Sequence, residues 1–302
     1  MGSFGILTDP IWSQRASPSQ LFGPRRLINP PISLNDLVTK VHVVVISHSH
    51  YDHLDLNTVQ EIGNQVLWVV PLGIKQILEQ VGVTNVLELD WWDSCMLEKS
   101  GENKARMRTK FSDTSKRIDV STEDELCLTL TPAQHWSARG LFDRNKSLWG
   151  SFVFKSRDNT AFFGGDTAYC SVFKQIGDIY GPFDIAALPI GAYTPRWFMK
   201  GVHCNPEEAL TIHRELKSNL SAAIHWGTFP LSDEDPVEPA LELAAVRDQL
   251  GLSREHFFTL KHGETIYLQK SNPERLTDYA TLQPDLYERY LQCKSAIQLV
   301  NQ

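Results

Sequence analysis

Within the short run Ser47-His-Ser-His-Tyr-Asp-His53 the chain carries His48, His50, Asp52 and His53, directly after the apolar stretch Val41–Ile46. Imidazole and carboxylate are the donors that zinc, iron and manganese take. Along an extended backbone alternate side chains point the same way, so His48 and His50 can converge on one point. The turn that follows can aim Asp52 and His53 at a second point nearby. A single histidine in a loop is ordinarily a surface residue, whereas three with an aspartate after a buried strand read as the start of a metal site. Three later residues also stand straight after β-type runs: His135 after Leu126–Thr131, Asp166 after Phe162-Phe-Gly-Gly165, and His225 after Ser221–Ile224. The two glycines let the backbone turn closely around a ligand. Two metals ~3.5–4 Å apart can activate water at neutral pH, so hydrolysis is the chemistry expected.

The elements that position these residues read as short strands alternating with helices. Strands are expected at Val41–Ser47, Val66–Val70, Val86–Leu89, Leu126–Thr131, Ser151–Phe154, Ala161–Phe163, Asp184–Pro189 and Ala222–His225. Pro71 suits the first turn of a helix running to about Gln80. Asn205 reads as the cap of a helix over Pro206–Leu216, with Glu207 and Glu208 in its first turn, and Pro239–Leu250 is a further helix ended by Gly251. Ser156-Arg-Asp-Asn159 reads as a hairpin turn. This alternation predicts an α/β fold, two mixed sheets sandwiched between helical layers, in one domain over residues 1–270. The polar stretch of about 94–124 is expected to be an irregular insertion, with Lys104, Arg106, Arg108 and Lys110 on a solvated loop. Residues 271–302 read as a tail ending in an amphipathic helix, with Leu286, Tyr290, Cys293, Ile297 and Val300 at helical spacing and docked on its own domain.

The 302 residues suffice for a substantial core, and 42% hydrophobic with 22% charged residues is a globular composition. No apolar run approaches the ~20 residues of a membrane-spanning helix. Met1–Asp9 lacks the basic start and apolar stretch of a signal peptide. Cys95, Cys127, Cys170, Cys204 and Cys293 are odd in number and scattered, which predicts free thiols in a reducing compartment; the sequons at Asn145 and Asn219 are then chance matches. A net charge of −7 argues against nucleic acid as the partner.

The order His48-x-His50-x-Asp52-His53, His135, Asp166, His225 resembles the metallo-β-lactamase superfamily. Longer strings, at 7–20, 89–92, 134–136, 148–151, 165–167, 189–200, 223–229 and 260–263, are similar to the N-acyl-phosphatidylethanolamine-hydrolysing phospholipase D family, over roughly residues 7–268. The resemblance implies the αββα sandwich of that superfamily and two zinc ions, with manganese or iron as other candidates. It implies one ion on His48, His50 and His135, and the other on Asp52, His53 and His225, with Asp166 bridging. It further implies attack of metal-activated hydroxide on phosphorus, releasing N-acylethanolamine and phosphatidic acid. Asp52, Asp166 and His203 are the implied catalytic residues, with Tyr51, Tyr193 and His203 against the substrate. Trp136, Trp197, Phe198, Met199 and Phe229 stand beside these motifs, as a lipid channel or as ordinary core. The partners implied are an N-acylated phospholipid, the cytoplasmic face of an intracellular membrane, and a second copy of the chain. Two departures stand out: Val202 where the family has a glutamine, and a start at Met1 where relatives carry a longer segment, so the first strands of the sandwich are expected to be missing. Hydrolysis of another phosphoester or a lactone on the same fold, and an inactive form that binds lipid or a partner, are the alternatives.

Overall fold

The structure, a computed structural model, describes residues 1–101, 104–112, 119–268 and 278–300. The first four strands, β1 (Ile6–Thr8), β2 (Val43–Val45), β3 (Leu67–Pro71) and β4 (Val86–Leu89), form a sheet in that order, parallel throughout. Each step between them returns through a helix, Leu34–Val38, Leu56–Ile62 and then Lys75–Glu79. A helical crossover brings the chain back to the same end, so this sheet is parallel rather than mixed as expected.

The second sheet contains β5 (Ser94–Lys99), β6 (Ala105–Phe111), β7 (Glu125–Thr131), β8 (Ser151–Lys155), β9 (Thr160–Phe163), β10 (Phe183–Pro189), β11 (Ser218–Ile224) and β12 (Phe257–Phe258), in the order β12-β11-β10-β9-β8-β7-β5-β6. It is antiparallel from β6 to β9, with β5–β6 and β8–β9 as hairpins and a long loop between β7 and β8, and parallel from β9 to β12, where helices connect neighbours. The hairpin at Ser156–Asn159 forms, closed by a bond from the Ser156 amide to the Asn159 carbonyl. The helix Pro206–Glu215 is capped by Asn205, whose side chain accepts from Glu208 N while Glu208 reaches back to the cap.

Three large cores hold the layers together, beside a small cluster of Met96, Val120 and Cys127. Val43, Val45, Leu97, Leu128 and Phe152 lie between the two sheets. Val44, Ile46, Trp68 and Val70, on the opposite pleat, meet the helices of the small sheet, with Leu54, Val59 and Leu78. Phe162, Ala186 and Leu188 of the large sheet meet Phe173, Ile212 and Leu243 from the helices Val172–Tyr180, Pro206–Glu215 and Glu238–Gln249. Each fully buried Val, Leu or Phe contributes roughly 1.5–3 kcal/mol relative to exposure, so the continuous apolar strands are what hold the strand ends in register.

Two further expectations are corrected. The stretch 94–124 is not an irregular insertion: it holds β5 and the edge strand β6, and continues the large sheet. Three of its bases are paired on that edge, Arg106 with Glu98 (2.6 Å), Lys110 with Asp93 (2.7 Å), and Arg108 with Glu125. Charges on an edge strand discourage pairing with another chain, which is why β6 reads as loop; residues 102–103 and 113–118 lie outside the described residues. Pro71 ends β3 instead of opening a helix. Gly73 at φ +86° makes the turn, Glu88 accepts from the amides of Gly73 and Lys75, and the helix begins only at Lys75.

The amphipathic C-terminal segment is the helix Pro284–Val300. Tyr290 donates to Glu242 (2.9 Å), Lys294 pairs with the same carboxylate (3.0 Å) and Tyr287 donates to Asp248 (2.6 Å), so it packs on the helix Glu238–Gln249. The side chains of Ile297 and Val300 lie outside the described residues, as does most of the stretch that precedes Asp278. Among the described residues no helix is long and apolar enough to cross a membrane, and all five cysteines are free.

Candidate metal centre

Every donor singled out in the sequence comes from a loop at one end of the strands. The loop after β2 carries His48, His50, Asp52 and His53. Loops following β7, β9 and β11 bring His135, Asp166 and His225. Close backbone approaches make this possible. A Cβ on Gly165, at φ +58°, would fall 2.5 Å from the Ser47 Cβ, and one on Gly191 would fall 2.1 Å from the His225 carbonyl. His225 itself adopts φ +59°, a costly conformation for a side-chain-bearing residue, and this aims its ring back toward the other loops.

The seven residues fall into two groups. In the first, His48 Nε2 lies 2.8 Å and His135 Nε2 3.2 Å from His50 Nδ1. The second contains Asp52, His53, Asp166 and His225. Here His53 Nε2 is 3.1 Å from Asp166 Oδ2 and 3.3 Å from Asp52 Oδ2, and His225 Nε2 is 3.2 Å from both Asp52 Oδ2 and Asp166 Oδ1. Asp166 Oδ2 also stands 3.8 Å from His48 and from His135, so one buried carboxylate faces both groups.

Hydrogen bonds behind the rings set their tautomers. His135 Nδ1 donates to the Val202 carbonyl (2.7 Å), which leaves the lone pair on Nε2. Ser47 Oγ donates to Asp9 Oδ2 (2.5 Å) and so accepts from His48 Nδ1 (2.9 Å), again turning an Nε2 lone pair inward. His53 Nδ1 donates to Asp9 Oδ2 (2.7 Å), and its Nε2 faces two carboxylates. Partners of this kind, bonded to the outer nitrogen, are what metal-ligating histidines carry. Buried and without hydrogen-bond partners are His50 Nε2, His53 Nε2, Asp166 Oδ1, His203 Nδ1 and His225 Nδ1. Inward lone pairs, carboxylates and nitrogen–oxygen donors together fit a divalent metal cofactor.

The electrostatics divide along the same line. Burial, with the neighbouring rings, pushes His48 well below the usual imidazole range; burial brings His50 and His135 down to about 4. Against that same burial, the carboxylates of Asp166 and Asp52 hold His53 well above the usual value, and Asp166 with the Asp52 hydrogen bond raises His225. Both aspartates lie well below the normal carboxylate range: burial opposes this, but His53 and His225 outweigh it.

His203 belongs to the site. Its Nδ1 lies 4.0 Å from Asp166 Oδ2, its ring stacks on His225 at 5.5 Å, and burial lowers it to about 3. Two expected substrate contacts are not brought in. The Tyr51 hydroxyl donates to the Arg139 carbonyl (2.6 Å), and its ring lies under the Arg139 guanidinium. Tyr193 turns toward the helix Glu238–Gln249, 3.5 Å from Glu238, where burial and the carboxylates of Glu242 and Glu238 push its phenol up. Each hydroxyl follows the nearest acceptor that tertiary packing supplies, which local sequence does not reveal. The residue overlooked is Asp9, which ties Ser47 and His53 together. It follows β1, and the pairing of Thr8 with Val45 carries it beside Ser47; its position straight after a strand was the available clue.

Residues 5–226 match the family model described as beta-lactamase superfamily domain. The chain is 40% identical over 270 residues to N-acyl-phosphatidylethanolamine-hydrolyzing phospholipase D 1 of Caenorhabditis elegans, covering 86% of this chain and 69% of that one. It is 36% identical over 243 residues to the mitochondrial N-acyl-phosphatidylethanolamine-hydrolyzing phospholipase D of Saccharomyces cerevisiae, covering 79% of this chain and 47% of the yeast protein. Among solved structures, Igni18, a metallo hydrolase from Ignicoccus hospitalis, aligns with a TM-score of 0.54 at 21% identity, covering 86% of this chain and 89% of that one. An isothiocyanate hydrolase from Delia radicum gut bacteria aligns at 0.59 and 17%, covering 86% and 90%. At those identities the structural likeness speaks for the fold alone.

Proposed function

Because the chain belongs to the N-acyl-phosphatidylethanolamine-hydrolysing phospholipase D family of the beta-lactamase superfamily, we propose that this metallo-hydrolase cleaves N-acyl-phosphatidylethanolamine to N-acylethanolamine and phosphatidic acid, using two zinc ions. The observation that carries the metal chemistry is Asp166, a buried carboxylate whose two oxygens face both donor groups. In this reading His48, His50 and His135 hold one ion and Asp52, His53 and His225 the other, with Asp166 between them. Bound there, the ions would polarise a phosphodiester oxygen and lower the pKa of water to near neutrality.

The chain's own residues do the rest. Water adds to phosphorus, the bond to the N-acylethanolamine oxygen breaks, and the proton that water loses ends on that oxygen. Asp52 and Asp166, held ionised, keep the centre anionic enough to retain two cations while accepting hydrogen bonds from the attacking water. His203 is held neutral, which suits a ring that orients a phosphate oxygen through an N–H better than one that stores a proton. Asp9 fixes the His53 tautomer and ring plane. Peripheral docking on a membrane is supported by apolar tips on loops beside the centre. Leu141 and Phe142 are 92% and 88% exposed on the loop whose Arg139 holds the Ser49 carbonyl. Trp197, 85% exposed, and Phe198 project from the short helix Arg196–Met199, whose Met199 carbonyl accepts from His203 N.

The test is to determine metal per chain in the purified protein and to incubate it with N-acyl-phosphatidylethanolamine in detergent, with Asp166→Asn as control. Two metals per chain and release of both products are expected. Two bound metals without turnover would overturn the substrate and return the reading to another phosphoester or a lactone.

A further inference from the structure

One cavity of about 290 Å³ opens on the Asp52, His53 and His225 side of the centre, and its lining also includes Trp226, Phe229, Leu231 and Arg26. That volume lies near the low end for small-molecule sites. It is large enough for a polar headgroup and the start of a chain. Arg26 supplies the guanidinium of this wall. Its Nε donates to the Ser13 carbonyl (2.9 Å), Nη2 to Ile11 (2.8 Å) and Nη1 to Ile28 (3.2 Å), and its guanidinium lies 5.1 Å above the Phe229 ring. Guanidinium has five N–H donors, so three are spent on carbonyls and two remain. Among the described residues no carboxylate lies within salt-bridge distance of Arg26, so its charge is neutralised by no direct partner.

We infer that Arg26 is a specificity-determining residue: it receives the neutral amide of the N-acylethanolamine arm in this cavity and disfavours an ethanolamine headgroup that carries a free ammonium. The inference rests on the function proposed above. An amide carbonyl can accept the two remaining N–H donors, and its acyl chain can run along Trp226, Phe229 and Leu231. An unacylated headgroup would bring an ammonium beside this guanidinium; the carboxylates of the same lining, Asp9 and Asp52, are already engaged with Ser47, His53 and His225, so the two like charges repel with little offset and more strongly than in water. Acylation removes that charge and supplies the acceptor. The three carbonyl bonds keep the guanidinium from swinging away, so discrimination is built into the cavity wall.

The purified, metal-loaded chain, Arg26→Gln and Arg26→Lys are assayed on N-acyl-phosphatidylethanolamine and on the matched phosphatidylethanolamine. Arg26→Gln is expected to lower the ratio of the two kcat/KM values on the order of 10- to 100-fold, the size of a lost hydrogen bond to a charged group. Arg26→Lys, which keeps the charge, should retain most of it. If Arg26 only braces the loops it bonds, both lipids lose rate equally and the ratio stays constant, which overturns the inference. Calorimetric binding supplies a readout without turnover: N-hexanoylethanolamine should bind the wild type more tightly than the amine N-hexylethanolamine, and Arg26→Gln should shrink that gap. An equal shift for both ligands overturns the inference as well. If the wild type turns over neither lipid, the proposed function fails, and the calorimetric contrast alone then decides whether Arg26 selects amide over amine.

Discussion

The two donor groups of the centre are made of different material. His48, His50 and His135 are three imidazoles at 2.8 and 3.2 Å contacts, with Asp166 no nearer than 3.8 Å to His48 or His135. Two of their inward nitrogens are lone pairs, set by the Val202 carbonyl and by Ser47. The second group mixes two imidazoles with two carboxylates at 3.1–3.3 Å, and each type compensates the other. The imidazoles meet through hydrogen bonds between neutral rings, while the acid–imidazole pairs also attract as opposite charges. On the proposed two-ion reading, the all-imidazole group would owe more of its order to an ion, and the mixed group would supply the charge that retains both.

That contrast can be broken at its shared member first. Asp166→Asn should lower turnover by on the order of 10³-fold or more, beyond the 10- to 100-fold of an outer-shell partner, and reduce metal at both positions. Metal analysis alongside the rate assay checks it; unchanged metal content would show that the two groups are independent. His135→Ala against His225→Ala is the next largest effect. The first leaves two imidazoles in its group, the second leaves His53 and two carboxylates. Titration with a competing chelator should therefore show His135→Ala losing one metal at lower chelator concentration than His225→Ala, and the reverse order would refute the asymmetry. Asp9→Asn should weaken metal binding about 10- to 100-fold while preserving the fold, because it backs His53 directly and His48 only through Ser47; an unchanged melting curve in the presence of metal, with right-shifted metal titration, is the expected pair of results.

The smallest effect comes from a buried histidine outside both groups. His213 meets Ser221 Oγ at 2.8 Å and the Phe257 ring, and burial lowers it to about 4. Its folded value lies below its unfolded ~6.5, so the unfolded chain binds a proton that the folded one refuses, and stability falls as pH drops from about 6.5 toward 4. About 1 kcal/mol should be lost by pH 5.5 through this ring. Denaturation midpoints at pH 7.5 and 5.5 should show that loss reduced in His213→Gln; an identical loss in both proteins would remove His213 from the account.

Much of the centre was legible because its donors are chemically rare and stand straight after apolar β-type runs, as His48 to His53, His135, Asp166 and His225 all do. The strands around them were legible for the same reason, with continuous burial from Val43 to Ile46 and from Leu126 to Leu130. The edge strand β6 was not, since Ala105-Arg-Met-Arg-Thr-Lys-Phe111 carries charges that belong on a sheet edge and imitate a loop. Nor was the wholly parallel small sheet, because strand direction follows from crossovers and not from the strand residues.

By itself, then, the order of residues determined the kind of chemistry: which donors exist, that they sit at strand ends, and which family they belong to. Only the tertiary structure decided the partners. It joined Asp9 to Ser47 and His53, sent the hydroxyls of Tyr51 and Tyr193 to Arg139 and Glu238, and set Arg26 in the wall beside His225. The physical reason is range. A side chain's identity and its strand or helix period are local properties, whereas a hydrogen bond between residues 38 or 44 positions apart exists only after packing has brought the two loops within 3 Å.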